Sequence, residues 1–176
     1  MLTAKGKYSL KALAHLATLE PGEVVPGSEI AEANNIPKKF LDAILGDLRT
    51  AGLVSTRKGP GGGYKLARGP SEIKLGDVIR TVDGPLAPLA CASRTAYQPC
   101  QDCKSVKSCN VRLIMRRVRD AMSEVLDRVT ISDMVAMNDG TNVMPIALSA
   151  AAGRPLDALI DCACSFVSGR SHRRAG

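Results

Sequence analysis

Four of the six cysteines fall in one short stretch, CASRTAYQPCQDCKSVKSC, as Cys91, Cys100, Cys103 and Cys109. Thiolates are soft donors, so four of them together can complete a tetrahedral zinc site or ligate an iron–sulfur cluster. The Cys100-x2-Cys103 pair is a common two-ligand bite for either. The same residues could also form a disulfide staple, work as a reversible thiol–disulfide switch, or pack as small apolar side chains. Compartment bears on the choice. The start MLTAKGKYSLKAL is charged and lacks the apolar core of a secretory signal. No run approaches the roughly 18 apolar residues of a membrane span. The chain is therefore expected in the cytoplasm, with no membrane partner, where clustered cysteines point to metal or redox chemistry rather than a structural disulfide framework. Cys162 and Cys164, a C-x-C pair further on, read as ordinary small apolar positions.

The elements that must hold this stretch are mostly helical. Apolar content is 45%, enough for a core, but with two Phe, three Tyr and no Trp that core is aliphatic. KYSLKALAHLATL, residues 7–19, has helical apolar spacing and stops at Pro21-Gly22. His15 has no Cys or His at ligand spacing and reads as structural or surface-lying. GSEIAEANN is a short second helix with Ser28 as cap and Asn34-Asn35 as turn. IPKKFLDAILGDLRTAG makes a third, with Pro37 in the first turn, Leu41, Ile44, Leu45 and Leu48 as its stripe, and Gly52 at the left-handed end. LVSTRKGPGGGYKLAR reads as a two-stranded hairpin with a Pro/Gly tip. IKLGDVIRTVDG is a fourth helix, after which Pro85 and Pro88 make the cysteine stretch irregular. From Val111 a long helix repeats Ile114, Val118, Ala121, Val125 and Val129 near every 3.5 residues, with Arg116, Arg117, Arg119 and Asp120 opposite. That narrow stripe suits a partner helix, as in a dimer seam, or packing on its own domain. Thr130 then caps a short helix, with Asp133 as the reciprocal residue.

The formal charge of +7 favours a polyanionic partner, with nucleic acid foremost. Three helices followed by a glycine-tipped hairpin make the order of a winged helix-turn-helix. The third helix would bury its leucines and leave Lys38, Lys39 and Asp42 at its N-terminal end to meet a major groove. Arg57 and Lys58 would supply charge at the wing, Gly61 and Gly62 would let its backbone come close, and Tyr64 beside them is the last of the residues expected at the DNA. No Ser/His/Asp set or phosphate loop supports an enzyme, since GPGGG lacks the Lys-Ser/Thr that a nucleotide loop needs.

The stretches KGKYSLKALAHLA, EIAEANNIPKKFLDAILGDLRTAGLVSTRKGPGGGYKLAR, IKLGDVIRTVDGPL and SCNVRLIMRRVRDAMSEVLDRVTISDMV resemble the bacterial Rrf-two regulators, the group of IscR, NsrR and RirA. The likeness runs to about residue 137. It implies a homodimeric winged-helix regulator, with the long helix as the dimer seam through Ile114, Val118, Ala121 and Val125. Cluster-binding members carry three cysteines before that helix, the last two separated by five residues. Cys103-x5-Cys109 fits that pair and Cys91 fits the first ligand. The fourth ligand in some members is a histidine three residues after the last cysteine, and in others an acidic residue near the N-terminus. Here Arg112 and Lys7 stand at those places, and neither is a ligand. The expectation is that Cys100 completes an all-cysteine site.

The fold class expected is mainly α with a β-hairpin wing. The chain divides into a DNA-binding domain (1–84), a cysteine-rich loop (85–110), a dimerisation helix with a short following helix (111–137) and a weakly ordered tail (138–176). The expected function is a non-enzymatic regulator, a repressor of a pseudopalindromic double-stranded DNA operator, controlled by a 2Fe–2S or 4Fe–4S cluster that senses iron, redox state or nitric oxide. The alternatives are zinc or a thiol–disulfide switch on the same fold, and an iron–sulfur scaffold or electron carrier.

Overall fold

In the computed structural model, which describes residues 2–138 apart from 104 and 107, helix α1 runs Ala4–Ala17. It begins ahead of its apolar stripe because Thr3 caps it, the hydroxyl accepting the Gly6 N–H at 3.2 Å. Gly6 is buried, and a Cβ there would meet the Asp83 carboxylate, so glycine lets the start of α1 lie against that residue. Ser9, Ala12, Leu13 and Leu16 form the buried face.

Helices α2 (Gly27–Asn34) and α3 (Lys38–Thr50) follow. Ser28 is not the cap of α2: it is exposed inside the first turn, and Pro26 precedes the helix. The reason is tertiary. Val25 exchanges two backbone hydrogen bonds with Tyr64, at 3.0 and 2.8 Å, which hold the chain extended up to Pro26. Pro37 likewise precedes α3 as its cap, its carbonyl accepting the N–H groups of Phe40 and Leu41. Asn35 turns left-handed at φ 51 and Gly52 at φ 69, where the spacing predicted them. Leu41, Ile44, Leu45 and Leu48 are fully buried with Leu13 and Ile30. Each such side chain contributes roughly 1.5–3 kcal/mol when taken out of water.

Strands β1 (Val54–Arg57) and β2 (Gly63–Leu66) pair antiparallel, with Val54 opposite Leu66 and Arg57 opposite Gly63. Helix α4 (Leu75–Val82) buries Leu75, Val78 and Ile79. The cysteine loop is irregular apart from a 3₁₀ turn at Ala90–Ala92. Helix α5 spans Asn110–Leu126 and α6 spans Ile131–Asn138.

Between α5 and α6 the chain returns to the segment ahead of α4. Leu75 N–H donates to the Val129 carbonyl at 3.0 Å and Ile131 N–H to the Ile73 carbonyl at 2.9 Å. Val129 therefore sits in the core instead of extending the α5 stripe. Helix α6 lies along α1, with Ile131 fully buried. Thr130 and Asp133 form the reciprocal cap that their spacing predicted: Thr130 N–H and hydroxyl both donate to the carboxylate, and Asp133 N–H donates back. Among the described residues no helix is long and apolar enough to cross a membrane. The tail beyond Asn138, with Cys162 and Cys164, lies outside the described residues.

Candidate functional site

The first turn of α3 presents Lys38, Lys39 and Phe40 to solvent because its other face is committed to the leucine core. Lys38 Nζ sits 2.9 Å from Asp42 Oδ2, an exposed pair one turn apart that holds the ammonium beside the helix start. A helix N-terminus with no side-chain cap and two lysines beside it is chemistry that suits an anion such as phosphate. Ser28 and Asn35 line an open groove with Lys38 between α2 and α3, polar groups that the sequence reading assigned only to a cap and a turn.

The wing places Arg57 and Lys58 in solvent at its tip. Its glycines are there for the turn. Gly59 and Gly61 have φ of 103 and 73, and a Cβ on Gly62 would meet the Arg57 carbonyl oxygen. Tyr64 is half-buried: its ring packs on the core and beside Gly27, and its backbone pairs with Val25. It anchors the wing to the start of α2, a role that its place beside the glycines did not disclose.

The loop brings Cys100 to Cys103 and Cys103 to Cys109, with Cys91 acting on Cys100. Cys91 is buried, and the other three are half-buried. The Cys91 thiol beside Cys100, followed by desolvation and then Cys103, pushes the Cys100 thiol up to about 12. The Cys103 and Cys109 sulfurs are 3.8 Å apart. Asp102 adds a carboxylate: its oxygen and the Cys100 and Cys103 sulfurs lie within 4.8 Å of one another. Cys109 caps α5, and the Arg112 N–H, then the Cys103 thiol, hold it below the ordinary thiol range. That is the expected effect of a helix N-terminus on a thiolate. Cys103 moves the other way, raised chiefly by Cys109. The donor set fits a soft metal or an iron–sulfur cluster, with Cys91, Cys100, Cys103 and Cys109 as the thiolates that would hold it.

Lys7 lines a groove of about 530 Å³ between α1 and α6, with Leu10, His15 and Met134. Arg112 has a different role from the histidine that the family resemblance would place there. Its Nε donates to the Cys91 carbonyl at 2.7 Å, and its guanidinium lies 5.7 Å from the Tyr97 ring centre. Arg116 and Arg117 are exposed as expected, but Arg119 is buried and donates to the Ala92 carbonyl. Of the expected seam, Ile114, Val118 and Ala121 are exposed, joined by Val111 and Leu113, while Val125 packs partly on its own core.

Three comparisons bear on this arrangement. The profile of Rrf2, described as "Iron-dependent Transcriptional regulator", matches residues 2–137. A Rhodobacter capsulatus protein named as an Rrf2-like HTH-type transcriptional regulator is 41% identical over 139 residues, 77% of this chain and 93% of that protein. The solved structure of CymR, the global cysteine regulator of Bacillus subtilis, superposes with a TM-score of 0.64 at 32% identity, covering 78% of this chain and 97% of that one. The structure of T. potens IscR gives 0.61 at 28% identity, over 82% and 92%.

Proposed function

The chain belongs to the Rrf2 family of winged-helix, DNA-binding transcriptional regulators, and on that premise we propose that it is a homodimeric repressor whose DNA affinity is set by an iron–sulfur cluster on Cys91, Cys100, Cys103 and Cys109. The observation that carries the reading is the run of four thiols ending at Cys109, the cap of α5. The description of the family as iron-dependent supports it.

Lys38 and Lys39 at the start of α3 enter a major groove, and Arg57 and Lys58 on the wing take the flanking backbone or minor groove. Two copies joined along Val111, Ile114, Val118 and Ala121 of α5 would set their α3 helices about 34 Å apart, one turn of duplex, which matches a pseudopalindromic operator. When bound, the cluster supplies iron and redox or nitric oxide reactivity. The chain's own part is to place Cys109 at the α5 N-terminus, where its thiolate is favoured. A coupling of about 1–3 kcal/mol between the loop and the DNA-binding face changes affinity some 5- to 150-fold, enough for a switch.

The test is anaerobic purification with iron, sulfide and zinc measured per chain, followed by oxygen, nitric oxide or chelator titration while DNA binding is monitored. Iron and sulfide together, bleached or shortened in lifetime by Cys100→Ser, are the expected result. Zinc without sulfide sinks the cluster. A second reading, a thiol–disulfide switch, is favoured by the Cys103–Cys109 approach and by the lowered Cys109 thiol. It requires a metal-free protein whose DNA affinity changes with reversible oxidation.

A further inference from the structure

We propose that Arg112 and Arg119 are positioning residues that carry the state of the cysteine loop into α5 and on to the DNA-binding unit; the inference rests on the regulator reading above. The two arginines are seven residues apart, about two helical turns, so they share one face of α5. That face meets two consecutive loop residues. Arg112 Nε donates to the Cys91 carbonyl at 2.7 Å, and Arg119 Nη1 donates to the Ala92 carbonyl.

Arg119 is 4% exposed, the one buried residue of α5 among those described. A guanidinium stays inside only where its donors find acceptors. Asp120 accepts from Nε and from the second Nη, and the same carboxylate pairs with Arg94 of the loop at 3.0 Å. Cys91 is therefore held through its carbonyl on Arg112, and the next residue through the Ala92 carbonyl on Arg119. A shift of Cys91 must break these bonds or drag α5 along. At the far end of α5, Asp127 pairs with Arg80 of α4 at 2.7 Å, and α4 packs against α3. The contacts are continuous from the loop backbone through α5 and α4 to α3, so a displacement of the loop at one end can bias the other.

The experiment compares wild type with Arg112→Gln, Arg119→Lys and the double variant. Metal per chain, thermal unfolding and DNA Kd are measured for the loaded and the chelator-stripped protein. Wild type is expected to show a loaded-to-stripped Kd ratio different from one by about 5- to 150-fold. The variants should load the wild-type amount of metal and keep one of the two affinities, with the ratio collapsing to within about 2-fold of one. A purely structural role changes both affinities alike or lowers metal content and leaves the ratio in place; either result overturns the proposal. Arg112 is half-exposed, so R112Q keeps the test open where R119K does not fold. A wild-type ratio of one removes the regulator reading itself, and this inference with it. A wild-type ratio persisting in loaded R112Q removes this inference alone.

Discussion

Cys109 and Cys100 differ in what surrounds their sulfurs, although both are half-buried cysteines of one loop. Cys109 receives N–H donors from the first turn of α5, which favour its thiolate. Cys100 faces other thiols, chiefly Cys91, which favour its protonated form. The signs are opposite: Cys109 ionises below the usual value of 9.0, and Cys100 keeps its proton up to about 12. In reduced, metal-free protein near neutral pH, limiting iodoacetamide should therefore label Cys109 first and Cys100 last, read by peptide mass. Equal or reversed order contradicts the geometry. At this scale the sequence was partly legible. C-x2-C and C-x5-C spacing singled out the thiols, and Asp102 stood in plain view between Cys100 and Cys103. The carbonyl partners of Arg112 and Arg119 were not readable. Those contacts join residues 21 and 27 apart, and no local pattern encodes them.

The helices themselves were largely readable, because their apolar spacing and end residues act within a few positions of one another. The Thr130–Asp133 cap is such a case. The Thr130 hydroxyl, then its N–H, holds the Asp133 carboxyl below its usual range. A depressed carboxyl stabilises the fold at pH values above the unfolded range, and the contribution fades as pH falls through the folded value. Thr130→Ala should thus cost about 1 kcal/mol near neutral pH, read from the urea midpoint. The gap to wild type should narrow as pH falls below the ordinary carboxylate range, where Asp133 takes a proton in the folded chain as well. The cap of α2 falls two residues before the expected Ser28, at Pro26, because backbone pairing between Val25 and Tyr64, distant in sequence but one bridge in space, holds the chain extended up to that point. Pro37 caps α3 instead of lying in its first turn. For α5, the exposed row from Val111 to Ala121 leaves apolar surface in water. If it is the seam between copies, Ile114→Glu should shift the protein to monomer in sedimentation and weaken operator binding. An unchanged mass removes α5 from the interface.

The whole molecule joins the lysines of α3 and the basic wing to a thiol loop through helices packed on one another. With a net charge of +7, DNA binding should fall steeply with salt. Lys39→Ala, at an exposed position, should lower the salt slope by about one and weaken operator and random duplex alike if Lys39 meets phosphate. Loss of preference among operators without a change of slope assigns it to base edges instead. Periodicity, caps and turn glycines determined, from sequence alone, a winged helix-turn-helix followed by a cysteine loop and a long helix, because those signals act locally. Only the tertiary structure decided that α6 turns back onto α1, that Tyr64 anchors the wing, and that Arg119 leaves the charged face for the Ala92 carbonyl. Each of those depends on which distant backbone groups a side chain meets once the core has closed, and a buried guanidinium must find its acceptors wherever packing brings them.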